Sequence, residues 1–175
     1  MRRLMLLRHA KSDWSEPGLS DHDRPLNRRG QETAPKIGAY MARHGLVPDR
    51  VLCSTALRAR ETWEEVATEF KDHPLTVYED RLYNARTDGI LAMVRDTKDR
   101  IGSLLLVGHN PGLQELAGLL IASGDLAHRE KLREKLPTAG LVVIDFAVDE
   151  WAKVHPHAGR LERFVAPRWL ETATD

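Results

Sequence analysis

The chain has 175 residues, enough for one domain (1–175) with a substantial core, and Lys+Arg and Asp+Glu number 26 each. A formal net charge of zero argues against a general polyanion binder, so no nucleic-acid partner is expected. One cysteine, Cys53, leaves no internal disulfide, and the apolar run near the start is short of the ~7–15 residues of a secretory segment or the ~20 of a membrane span, so a cytoplasmic protein away from membranes is expected.

Leu4-Met5-Leu6-Leu7 is a short apolar run that reads as a buried strand, and Arg8-His9 sits where that strand leaves the core. Lys11 to Pro25 is a long polar connection of the sort that carries function. Asn27 is placed to cap a helix with Ala34, Ile37, Gly38 and Met41 on one face; Pro35 either kinks it or lies in the first turn of a helix starting near Thr33. Gly45 ends it. Val51-Leu52-Cys53 predicts a second strand. Ser54 or Thr55 would then cap a helix that turns Ala59, Trp63, Val66, Ala67 and Phe70 inward. Leu75 to Tyr78 reads as a third strand, followed from about Thr87 by a helix burying Ile90, Leu91 and Val94.

Leu104 to Val107 is the clearest buried strand. Gly108-His109-Asn110-Pro111-Gly112 follows, with Pro111 suited to the first turn of a helix continued by Leu113, Leu116, Ala117 and Leu120. The mixed charges of Leu126 to Leu136 predict a solvated helix. Leu141 to Val148 and Arg160 to Val165 read as strands paired antiparallel across a turn near Asp149-Glu150, and Pro167 to Leu170 as a final docked turn. Strands alternating with helices predict a three-layer α/β/α sandwich around a mostly parallel sheet.

In such sheets ligands bind beyond the carboxyl ends of the strands. The first strand delivers Arg8 and His9 there, the second Arg58 in the first turn of its helix, and the strand before Gly108 delivers His109. Guanidinium groups grip phosphoryl oxygens in pairs, helix N-termini favour anions, and imidazole is a nucleophile near neutral pH. The convergence of these groups points to phosphate chemistry.

Three ordered blocks carry a resemblance. They are Arg8-His9-Ala10-Lys11-Ser12-x-Trp14 with Asp21-His22-Asp23-Arg24-Pro25-Leu26-Asn27-x-Arg29-Gly30, then Ser54-x-x-x-Arg58-Ala59-x-x-Thr62, then Val107-Gly108-His109-Asn110-Pro111-Gly112. Together they resemble the histidine phosphatase (phosphoglycerate-mutase-like) superfamily, in its compact branch of SixA-type phosphohistidine phosphatases. The resemblance implies the phosphoglycerate-mutase-like fold without large insertions. It also implies that His9 attacks phosphorus, that Arg8 and Arg58 hold the phosphoryl oxygens and that His109 completes the pocket, with no metal and no cofactor. Ser12 and Asn110 are expected as further substrate contacts. The implied partner is a phosphorylated protein bearing phosphohistidine, or else a small phosphate ester; inorganic phosphate or sulfate is expected to fill the same pocket.

One departure stands out. Many relatives carry an acid after the third strand that protonates the leaving oxygen, and here Arg81-Leu82-Tyr83-Asn84 puts Asn84 in that place. Glu79, Asp80, Asp21 and Asp23 remain as possible acids. A cysteine phosphatase would need five residues between Cys53 and Arg58, and there are four. A metallohydrolase built on His9, Asp21, His22, Asp23 and His109 would set its cation beside two arginines. A non-catalytic phosphoprotein-binding module would use the same pocket. The other histidines (His22, His44, His73, His128, His155, His157) read as surface or loop residues.

Overall fold

The computed structural model describes residues 1–172, with side chains to Leu170. Its strands are β1 (Arg2–Arg8), β2 (Arg50–Ser54), β3 (Leu75–Glu79), β4 (Ser103–Gly108), β5 (Ile121–Gly124), β6 (Leu141–Phe146) and β7 (Gly159–Val165). They form one sheet in the order β3-β2-β4-β1-β6-β7-β5. Every pairing is parallel except those of β6, which runs against both β1 and β7. The helices are α1 (Arg28–Arg43), α2 (Leu57–Ala67), α3 (Thr87–Arg95), α4 (Gly112–Leu120), α5 (Leu126–Glu134) and α6 (Pro167–Thr172).

The period-2 alternation of the strands divides the core in two. Leu4 and Leu6 of β1 face one way, with Leu52, Leu104 and Leu106, onto apolar residues of α3, α4 and α5. Met5 and Leu7 face the other way, with Val51, Cys53, Leu105 and Val107, onto α1 and α2. Both faces being covered, the central strands read as unbroken apolar runs. The three layers expected from the sequence are present, and no large insertion interrupts them.

Several local expectations need correction. Asn27 does cap α1, its Oδ1 accepting from the Gly30 N–H at 2.8 Å, so the helix starts at Arg28 and Pro35 lies inside it rather than in its first turn. Neither Ser54 nor Thr55 caps α2; the cap position is Ala56, with no side-chain hydrogen bond. In α3 the buried set is Ile90, Met93 and Val94, and Leu91 is half-buried. Pro111 stands at the cap of α4 rather than in its first turn.

β6 and β7 pair antiparallel as expected, but no tight turn joins them. β6 stops at Phe146 and the link passes through a 3-10 turn, Trp151–Lys153. Trp151 is fully buried there and donates its indole N–H to the Ile101 carbonyl at 2.6 Å. The short strand β5 was not legible because Ile121 simply extends the apolar run of α4.

One close approach ties the polar connection to the sheet. A Cβ on Gly30 would meet the Lys11 carbonyl oxygen at 2.2 Å, and the Asn27 N–H donates to that same oxygen at 2.9 Å. Only glycine lets the start of α1 lie against the segment that leaves His9.

Candidate active site

β1, β2 and β4 are adjacent and parallel, so their carboxyl ends share one rim. α2 follows β2 on one face, whereas α3 and α4 flank β4 on the other, so the connections part at this rim and open a crevice. Arg8, His9, Arg58 and His109 meet there, as the sequence predicts.

His9 is 8 % exposed, and its Nδ1 lies 2.7 Å from the Ala10 carbonyl oxygen. A carbonyl only accepts, so Nδ1 carries the proton and the lone pair is left on Nε2. Burial pushes the His9 pKa down to about 4, and the cations of Arg58 and Arg8 push the same way. The ring is therefore neutral and nucleophilic at physiological pH. The backbone behind it is fixed: the His9 N–H donates to Gly108, and the Ala139 N–H is shared by the carbonyls of Arg8 and His9 at 3.0 Å each.

The His109 ring centroid lies 5.3 Å from that of His9. Its Nε2 is 2.7 Å from Ser54 Oγ, and that oxygen also accepts the Ala56 N–H. With the serine proton turned to Nε2, the imidazole keeps its own proton on Nδ1, a buried atom with no hydrogen-bond partner. Burial first, then His9 and Arg58, lower its pKa to about 3, so His109 donates as a neutral ring.

Arg8 gives Nη1 to the Leu136 carbonyl at 3.1 Å, while its buried Nε has no partner. Arg58, 7 % exposed, gives Nη1 to the Asp21 carbonyl at 2.7 Å and Nη2 to the Asp21 carboxylate at 3.1 Å. Thr62 joins the two sides of the site: its hydroxyl donates to the Arg58 carbonyl at 2.7 Å and accepts the Ala10 N–H at 2.9 Å. Ser54 thus orients His109, and Thr62 ties the backbone of Arg58 to that of Ala10, next to His9.

The lesser candidates fare differently. Ser12 is buried and bridges to Leu26, beside the start of the connection. The Asn110 amide donates to the Leu136 carbonyl at 2.9 Å, and its oxygen accepts from Gln114. Asn110 and Arg8 share the Leu136 carbonyl, which makes Asn110 a positioning group for Arg8 in this arrangement. Asn84 is exposed with φ of 55°, a left-handed conformation that asparagine tolerates better than most residues.

Among the described residues, no acid is poised above the pocket. Glu79 is bound by Arg81 at 3.0 Å, which holds its carboxyl below the usual range. Asp80 accepts the Thr55 hydroxyl. Asp23 is exposed and pairs with Ser20 and His22. Asp21 is at the site, but the Tyr83 hydroxyl at 2.6 Å and then Arg58 keep it ionised.

Tyr83 was missed by the sequence reading. Its ring stands edge-on to His109 at 5.6 Å and lies under the Arg58 guanidinium at 5.9 Å. The one available signal was its place just past the carboxyl end of β3. His22 is likewise no plain surface residue: it is half-buried, stacks edge-on against Tyr83 at 4.8 Å and lies 3.0 Å from Thr55 Oγ1. Cys53 is buried with its pKa raised, the reverse of an activated thiolate. Among the described residues no three His, Cys, Asp or Glu side chains gather as a metal site, and the metallohydrolase set is dispersed onto Thr55, Tyr83 and Arg58.

Known proteins resemble this chain in sequence and fold. Residues 4–85 match the family model of the histidine phosphatase superfamily (branch 1). The Mycobacterium tuberculosis protein Rv1276c, itself uncharacterised, is 38 % identical over 93 % of this chain and 100 % of its own. Among solved structures, a protein of Agrobacterium tumefaciens assigned as phosphohistidine phosphatase SixA superposes with a TM-score of 0.79 at 36 % identity, covering 95 % of this chain and 98 % of that one. The protein histidine phosphatase SixA bound to tungstate superposes with a TM-score of 0.75 over 96 % of this chain and 99 % of its own; at 19 % identity it attests the fold.

Proposed function

The chain belongs to the histidine phosphatase superfamily (branch 1) and is a phosphatase; we propose that it works through a phosphohistidine formed on His9 and that phosphohistidine proteins are its substrates. The observation that carries the reading is the neutral His9 ring, its Nδ1 pinned to Ala10 and its Nε2 lone pair open to the rim, amid donors that lack partners.

In the first step the Nε2 lone pair forms a bond to phosphorus while the bond to the leaving atom breaks and that atom takes the electron pair. The charge on the three remaining oxygens falls to Arg8, Arg58 and the Nδ1–H of His109. The phosphoryl group competes with the Asp21 carboxylate for Arg58. Water then attacks the phosphohistidine, and His9 is the leaving group of the second step. A SixA assignment for a relative at 36 % identity supports a phosphohistidine protein as substrate, and tungstate bound to a SixA supports an oxyanion in this pocket. A cytoplasmic location suits the single buried, unpaired cysteine.

With no carboxyl of the described residues poised over the pocket, proton help to the leaving atom is small, and such help is ordinarily worth ~10²–10⁴ in rate. A phosphohistidine ring nitrogen protonates from solvent beforehand and a nitrophenolate leaves as a stable anion. We expect phosphohistidine and aryl phosphates to turn over far faster than serine phosphate or phosphoglycerates. kcat/KM across a series of aryl and alkyl phosphates should fall steeply as leaving-group pKa rises. A flat series means a general acid acts here and returns the assignment to a small-molecule phosphomonoesterase.

A further inference from the structure

Charge is unevenly distributed around the rim. Toward β6 and β7 lies a cleft of about 530 Å³ lined by Lys11, Arg29, Lys131, Lys135 and Arg168, with Glu134 the one acid among its described residues. Toward the β3 edge a second depression carries Glu61, Glu64 and Glu65 against Arg60. A chain of zero net charge thus gathers cations in one cleft and acids in another.

Two segments that line the basic cleft lead directly into the active site. Lys11 follows His9 by two residues, at most ~7 Å of chain. Pro137 and Thr138 line the cleft and lead into Ala139, whose N–H holds the carbonyls of Arg8 and His9. The cations come from four separate places, the segment after β1, α1, α5 with the residue that follows it, and α6, so they are distributed along the cleft. Between them lie apolar surfaces: Pro137, Phe164, Pro167 and Trp169, with the Lys131 ammonium 5.0 Å from the Trp169 ring centroid. A compact polyphosphate asks for donors converging on one point. Cations spread over an apolar floor suit an extended peptide in which acidic side chains alternate with carbon.

We infer that this cleft docks an acidic segment of the phosphorylated partner, two to four residues from the phosphorylated one; the inference rests on the phosphoprotein reading above. Opposite charge steers the partner to the rim and suppresses partners with basic flanks.

The experiment compares phosphohistidine peptides of equal length with Glu-rich or with Ser/Gly flanks, on the wild type and on the Lys131→Glu/Lys135→Glu double variant, with p-nitrophenyl phosphate as the reference substrate. Circular dichroism checks folding, and Arg168→Glu provides a second, milder variant. We expect the acidic peptide to exceed the neutral one in kcat/KM by about tenfold at low salt, with the preference lost in the double variant and reduced in Arg168→Glu and in 0.5 M salt. Nitrophenyl phosphate turnover should stay within about twofold, since neither lysine touches the phosphoryl group. Equal turnover of both peptides by the wild type overturns the cleft and leaves the phosphohistidine reading standing. A labelled acidic peptide without phosphate, followed by fluorescence anisotropy, separates the reverse case. If it binds the wild type and not the double variant while no phosphohistidine peptide is turned over, the docking site holds and the substrate reading falls. If tripolyphosphate displaces that peptide at far lower concentration than an unlabelled copy does, the cleft is a small-anion subsite and the inference is wrong.

Discussion

From β1 the sheet runs one way through β4, β2 and β3, all parallel, and the other way through the reversed strand β6. On the parallel side, strand ends bring His9, His109 and Arg58 to the rim. On the β6 side, Arg8 and His9 are met by backbone: the Gly140 carbonyl accepts from the Arg8 N–H, and the Ala139 N–H holds the carbonyls of Arg8 and His9. The charges of the two sides are also treated differently. Buried donors without partners occur at both ends, Arg8 Nε and His109 Nδ1 at the rim and Arg2 Nε and Arg50 Nε at the far end, where Arg3 is fully met by Asp145 at 2.7 and 2.9 Å. What sets the rim apart is that its two unpartnered donors belong to groups clustered about His9, whereas Arg3 at the far end is taken up in a strand-to-strand ion pair.

The sharpest way to break that contrast is to remove charge from each side in turn. His9→Ala should cost at least ~10⁴ in kcat, since no other group on the rim replaces a nucleophile. Rapid quenching with labelled substrate should trap acid-labile phosphate on the wild type and none on the variant. Arg8→Ala and Arg58→Ala should each lose ~10²–10³ in kcat/KM, the ordinary worth of a preorganised donor to developing charge. Arg3→Ala should leave the activity of the folded enzyme unchanged. A loss at Arg3 equal to that at Arg58 would mean the two sides are not distinct.

A pH profile sharpens the same contrast by a smaller factor. His9 in the free enzyme has a pKa of about 4, below its ordinary value of 6.5, because burial and two arginines disfavour the cation. Protonation removes the attacking lone pair. After correction for ionisation of the substrate itself, kcat/KM should be level down to about pH 5 and fall about tenfold per unit below about pH 4. An acid limb near 6.5 would mean the ring is solvated. Stability carries the same sign: between 6.5 and about 4 the unfolded chain binds a proton at His9 that the native state does not. That contribution is present above pH 6.5 and is lost as pH falls toward 4, and His109 acts in the same direction.

How far the sequence disclosed all this follows the same division. Arg8, His9, Arg58 and His109 were legible because each follows an apolar run, and the ends of parallel strands must meet. Tyr83 and His22 were not legible, because their approach depends on the path of irregular segments, which no period encodes. The roles of Ser54 and Thr55 were misread for a related reason: a hydroxyl before a helix signals a cap, and the pull of His109 on Ser54 and of Asp80 on Thr55 is tertiary. Asn84 takes a left-handed backbone conformation, which gives a local reason for asparagine there. β5 and the buried Trp151 link stayed hidden since both depend on pairing with distant chain.

The smallest expected effect tests the quiet side of the sheet. The Arg3–Asp145 pair spans β1 and β6 with both guanidinium contacts made, and the two partners differ in their access to water: the Arg3 side chain is 34 % exposed, the Asp145 side chain 9 %. Asp145→Ala leaves a guanidinium that can turn to solvent, so it should cost about 1–2 kcal/mol. Arg3→Met leaves a carboxylate enclosed without its cation and should cost more, about 2–3 kcal/mol. At ~2–4 °C per kcal/mol for a domain of this size, the two should be separable by thermal unfolding. Arg3→Met combined with Asp145→Leu should recover much of the loss, because an apolar pair at a strand-strand contact asks for no solvation. All three should keep the kcat of the folded enzyme. If Asp145→Ala proved the costlier change, the pair would be held by water-mediated contacts to the arginine rather than by enclosure of the acid.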